Sequence, residues 1–174
     1  GDTLDIYYAA FRIPDLLFNL LILGALSAGF IPIFTSLIKS PLAKVRSLFG
    51  QDNKSAWELT NNLLNILGAS FLVLCGLGVI FAPQIMKLIT PGFNADKLAE
   101  TVSLTRIMFL SPIFLGISGI FGGILQSFKR FFVYSLAPIF YNIGIIIGVL
   151  YLAPLYGVYG LAWGVVLGAL LHML

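Results

Sequence analysis

The chain of 174 residues has little charge, one cysteine and one histidine. Asp, Glu, Lys and Arg make up 10% of it, too little to solvate a water-soluble domain of this length. Cys75 cannot close an internal disulfide alone, and with His172 the single histidine there is no cluster for a metal and no triad for nucleophilic catalysis. His172 ends an apolar run and reads as structural. Ten Lys and Arg against seven Asp and Glu give a net charge of +3, but the cations sit near the ends of apolar runs. That excludes the basic patch of a nucleic-acid binder. No G-x-x-x-x-G-K-[ST] loop is present to cradle a nucleotide. The sequence therefore predicts no enzyme, no catalytic residue, no cofactor and no metal.

What the chain does have is apolar surface. Hydrophobic residues are 59% of it and the mean hydropathy is +1.02. Apolar runs longer than about 18 residues recur, the length that crosses a bilayer. The expected fold is all-α, a polytopic transmembrane helix bundle of about five spans, placed near residues 4–38, 56–89, 98–127, 131–152 and 158–174. The first block is too long for one straight crossing, so Pro14, Gly24, Gly29 and Pro32 are its expected breaks. The stretch 39–55 reads as a basic loop, Thr90-Pro91-Gly92-Phe93-Asn94 as a turn, and Ala153-Pro154-Leu155-Tyr156-Gly157 as a tight turn. The chain opens Gly1-Asp2-Thr3 and stops while still apolar, which reads as one segment of a longer protein.

Short loops rich in Lys and Arg stay cytoplasmic. Lys39, Lys44, Arg46 and Lys54 fall in the first loop and Lys129 and Arg130 in the third, so loops 39–55 and 128–131 are expected inside and the amino end outside.

Charged residues within spans point to function. At 100° per residue, Asp5, Tyr8, Arg12, Asp15 and Asn19 fall within roughly 80° on one face of the first span. Facing lipid, such a stripe costs several kcal/mol, so it belongs on a cavity or a bundle interior. An Arg12–Asp15 ion pair at i,i+3 that merely packs the helix is the alternative. Glu58, Asn61, Asn62 and Asn65 make a weaker polar face on the second span, for which interhelical amide bonding is the plainer account. Arg106 either snorkels to headgroups or enters a cavity. Glycines four apart, at 119 and 123, 144 and 148, and 160, 164 and 168, allow close helix approach.

Specific strings add a family. Thr3-Leu4-Asp5, Ala10-Phe11-Arg12-Ile13-Pro14-Asp15-Leu16-Leu17 and Gly24-Ala25-Leu26-Ser27-Ala28-Gly29-Phe30-Ile31-Pro32 resemble the MurJ (MviN) lipid II flippases. Ala82-Pro83 to Thr90-Pro91-Gly92-Phe93 is similar to the end of that family's third helix. Ile124-Leu125-Gln126-Ser127-Phe128-Lys129-Arg130-Phe131, with Ala137-Pro138 and Asn142, is similar to its fourth-to-fifth hairpin, and Gly160-Leu161-Ala162-Trp163-Gly164 to its sixth helix. The resemblance places the chain on helices two to six, most of the N-terminal lobe of a fourteen-helix, two-lobed exporter.

The resemblance implies transport of an undecaprenyl-diphosphate-linked cell-wall precursor across the bacterial cytoplasmic membrane by alternating access. Implied partners are the lipid-linked diphosphate, membrane lipids and the remaining helices of the same protein, with no nucleic acid. Asp5 and Arg12 match the family's aspartate and basic residue on its second helix, and on such a mechanism Arg12 is expected to meet the headgroup while Asp5 and Asp15 tune or gate it; Asn19, Glu58, Asn65 and Arg106 are further cavity candidates from their polar faces alone. Lys129 and Arg130 fall in the cytoplasmic loop, where Arg130 matches the family's loop arginine. Phe18-Asn19 and Leu23 stand where the family usually carries charge, and Asp15 where it carries asparagine. Those departures keep another lipid-linked glycan or a cationic drug open as cargo, and a non-transporting scaffold open as a role.

Overall fold

A computed structural model describes residues 1–22, 29–39 and 54–174. Leu23, Gly24 and most of the basic loop 39–55 lie outside the described residues. The described elements are all helical: α1 (Asp2–Ile22), α2 (Ile31–Lys39), α3 (Lys54–Ile89), α4 (Ala95–Met108), α5 (Leu110–Ser127), α6 (Phe131–Ile147), a π-helical turn over Gly148–Leu152, α7 (Ala153–Tyr156) and α8 (Val158–Met173). Three stretches are long and apolar enough to cross a membrane: Trp57–Ile89, Ala95–Ser127 and Phe131–Tyr156. Val158–Met173 is apolar but shorter. α1 is long enough at 21 residues but carries Asp2, Asp5, Arg12 and Asp15.

Several helix boundaries follow from local chemistry. Asp2 and Asp5 lie in the first turn of α1, where carboxylates complement the positive end of the helix dipole. Asn94 caps α4 by accepting the Lys97 backbone N–H at 2.9 Å. α5 ends in a six-to-one turn: Arg130 N–H donates to the Leu125 carbonyl and Lys129 N–H to the Gln126 carbonyl, with Lys129 at φ +59°.

Two expectations need correction. Pro14 does not break the first block. It is buried inside a continuous α1, where packing on neighbouring helices tolerates the missing N–H. Nor is 153–157 a turn throughout. Pro154 is the second residue of the short helix α7, whose first turn needs no donor there, and the reversal is confined to Gly157 at φ +59°, ψ −136°. That backbone region is open to glycine almost alone. Gly157→Ala is expected to cost about 1 kcal/mol or more, read as a lower thermal midpoint of the chain in detergent.

The core forms three clusters. Phe30, Phe34, Leu67, Phe71, Cys75, Phe109, Ile120 and Ile124 join α2, α3 and α5. Ile6, Ala10, Leu104, Met108, Val158, Ala162 and Val165 join α1, α4 and α8. Ala82, Met86 and Val102 join α3 to α4. Glycines seat aromatic rings between them: Gly78 faces the Phe109 ring and Gly116 the Phe71 ring, each with no room for a Cβ. α6 and the π-helical turn that continues it touch α8 through backbone, Gly144 against Gly168 and Gly148 against Gly164. Gly123 abuts the Phe30 ring rather than another backbone.

Prolines inside helices free a carbonyl four residues back, because they bring no N–H. Pro112 frees Met108, whose oxygen accepts from the Ser111 hydroxyl at 2.8 Å. Pro83 frees Val79, and that oxygen accepts from Arg106 Nε at 3.2 Å across the α3–α4 contact.

Candidate functional site

The unbroken α1 keeps the predicted stripe on one face. Asp5, Tyr8, Arg12 and Asp15 are exposed and Asn19 half-buried, while Ile6, Ala10 and Pro14 on the other face are buried. The stripe divides in two. Asp5, Tyr8 and Arg12 line a cleft of about 510 Å³, whose opposite wall is Ile89, the Thr90–Phe93 turn and Lys97. Asp15 and Asn19 lie beyond it and bond each other, Asn19 Nδ2 donating to Asp15 Oδ2 at 3.0 Å.

The Arg12–Asp15 ion pair is not formed. Among the described residues Arg12 makes no side-chain hydrogen bond and no ion pair, while Asp15 is occupied by Asn19. Lys97 instead is paired. Its Nζ donates to Asp2 Oδ1 at 2.8 Å and Asp5 Oδ2 at 2.9 Å, and stands 4.4 Å from the centroid of the Phe93 ring. The Lys97 hydrogen bond and charge hold the Asp2 carboxyl below the ordinary carboxylate range. A cation between two carboxylates and a ring face is a clip, tying the start of α1 to the start of α4.

The remaining residues stand apart from the cleft. Glu58 and Asn65 are exposed on the first turns of α3, at the far end of that helix from Ile89. Arg106 is exposed and is not among the residues lining the cleft, and its Nε donates to the Val79 carbonyl that Pro83 left free. Lys129 and Arg130 are exposed at the α5–α6 turn. His172 pins α8 to α5. The Ser118 hydroxyl donates to the His172 carbonyl at 2.8 Å, so it accepts from Nδ1–H at 2.7 Å, and the buried Ser118 is satisfied on both sides.

Sequence reasoning missed Lys97, which reads locally as balanced by Asp96 and Glu100. Its actual partners are 92 and 95 residues away, beyond any local pattern. The Arg106 contact did leave a signal: a proline at 83 within a helix implies an unsatisfied carbonyl at 79 in need of a donor.

The model of the family described as "Lipid II flippase MurJ" matches residues 1–174. The chain belongs to the MurJ family. It is 32% identical over 174 residues to the lipid II flippase MurJ of Burkholderia cenocepacia, covering 98% of this chain and 32% of that protein. A probable lipid II flippase MurJ of Rickettsia prowazekii is 34% identical over 149 residues, covering 84% and 27%. Another, from Borreliella burgdorferi, is 31% identical over 170 residues, covering 98% and 31%. The chain thus spans about a third of the length of these MurJ relatives. Family and apolar helices together make it a multi-pass membrane protein.

Proposed function

We propose that the chain supplies part of a lipid II flippase, which carries an undecaprenyl-diphosphate-linked peptidoglycan precursor across the bacterial cytoplasmic membrane by alternating access. The observation that carries this reading is Arg12, an exposed guanidinium with no partner among the described residues, in a cleft that includes a tyrosine and backbone turn. Its planar fork suits a diphosphate, and the polyprenyl tail stays in lipid while the headgroup crosses. The cycle makes and breaks no bond, so the protein acts as a transporter. Asp5, Asp15, Asn19, Glu58, Asn65 and Arg106 belong to the surroundings of the headgroup path in this reading. The amino end faces outward, and Lys129 and Arg130 face the cytoplasm, in line with the charge of the loops.

The test is a chimera in which this chain replaces the matching third of the Burkholderia cenocepacia relative. Export of lipid II should be retained, and Arg12→Gln should lower it by about tenfold at equal membrane abundance, the scale of one charged hydrogen bond. An inactive chimera that is inserted and folded, or full export by the Arg12→Gln form, overturns the reading.

A further inference from the structure

We propose that Lys97 sets the anion preference of the cleft by occupying Asp5 in its wall and Asp2 one turn before it, so that Arg12 is left free for a diphosphate; this rests on the headgroup reading above. The cleft holds two cations in opposite states. Lys97 has a side chain only 16% exposed, spends two of its three N–H donors on Asp2 and Asp5, and lies against the Phe93 ring. Arg12 is exposed and has no partner among the described residues.

Charge explains why the lysine matters to a ligand it does not touch. Asp5 and Arg12 share one face of α1, two helical turns apart. With Lys97 in place the charges of Asp2, Asp5, Arg12 and Lys97 cancel. Without it Asp5 in the cleft wall and Asp2 one turn before it are left unpaired, draw on the Arg12 field and repel a doubly charged headgroup. The other acid near Arg12, Asp15, is already held by Asn19 at 3.0 Å and lies outside the cleft wall.

The clip is also built for fixed geometry. The Thr90 N–H and hydroxyl both donate to the Met86 carbonyl at the end of α3, and Phe93 N–H donates to the Thr90 carbonyl at 3.1 Å, which sets the ring. The Asn94 cap then starts α4 so that Lys97 falls in its first turn, over that ring. Lys97 is therefore a positioning residue: it acts through Asp2 and Asp5.

The experiment uses the full chain in phosphatidylcholine nanodiscs, titrated with farnesyl diphosphate and with uncharged farnesol as control. The unmodified chain should bind the diphosphate saturably and farnesol not. Lys97→Gln should weaken diphosphate binding by about fivefold, the effect of charge placed near but not on the ligand. Lys97→Arg should stay within about twofold of the unmodified chain, since the pairing survives. Removing the acids as well, in Asp2→Asn/Asp5→Asn/Lys97→Gln, should restore binding to within about twofold. That triple variant removes both carboxylates that Lys97 pairs, so it tests the idea even if Lys97→Gln unfolds. Unchanged binding in Lys97→Gln, or a triple variant that stays weak, overturns the inference while leaving the role of Arg12 standing. Unchanged binding in Arg12→Gln, or none in the unmodified chain, overturns the headgroup reading itself.

Discussion

Gly164→Leu is expected to separate α6 from α8 and destabilise the chain by about 3 kcal/mol or more, because backbone cannot repack around a new side chain. The glycine Cα of α8 stands against Gly148 at the start of the π-helical turn that continues α6, and a Cβ there would already reach the Gly148 Cα within 2.7 Å. The same contact recurs one turn on, where Gly144 meets Gly168, so one enlarged residue lifts the whole seam. Intrinsic propensity works the other way: glycine to leucine in a helix gains somewhat under about 1 kcal/mol, which the clash must exceed. Gly76 provides the control. A Cβ there meets nothing within 4 Å, and the residue is exposed on α3, so Gly76→Leu should be neutral or slightly stabilising. The measurement is unfolding of each variant in mixed detergent. Equal effects at 76 and 164 would show that the α6–α8 seam is not held by backbone contact.

The second large effect concerns Arg106. Arg106→Met should cost about 2 kcal/mol, the loss of a charged hydrogen bond to a carbonyl that has no helical donor. The informative comparison is made with Pro83→Ala. Alanine restores an N–H at position 83, which can close the ordinary bond to Val79, so Arg106→Met in that background should cost about 0.5 kcal/mol or less. The cost of holding a charge within a span is common to both backgrounds and cancels in the cycle. Equal losses with and without Pro83 would mean that the guanidinium stabilises the bundle through something other than the Val79 oxygen.

Much of the architecture was readable from residues alone. α3 ends at Ile89, α5 ends at Ser127 and α6 begins at Phe131, beside the Thr90–Asn94 and Lys129–Arg130 signals, because such turn signals are local properties, whereas α6 gives way to the π-helical turn at Gly148. The stripe on α1 also survives, since 3.6-residue periodicity needs nothing beyond a continuous helix. Pro14 misled because helix breaking by proline is a tendency that neighbouring helices override. The segment 153–157 misled because its proline begins a helical turn instead of ending one.

Composition and periodicity were enough to establish a polytopic helix bundle, a polar stripe around Arg12 and glycine faces fit for close packing, because each depends on residues within a few turns of one another. They could not say which cation would be free. Arg12 stands open and Lys97 is consumed because α1 and α4 come together across more than ninety residues of chain, and an ion pair exists only where folding brings its two charges within reach.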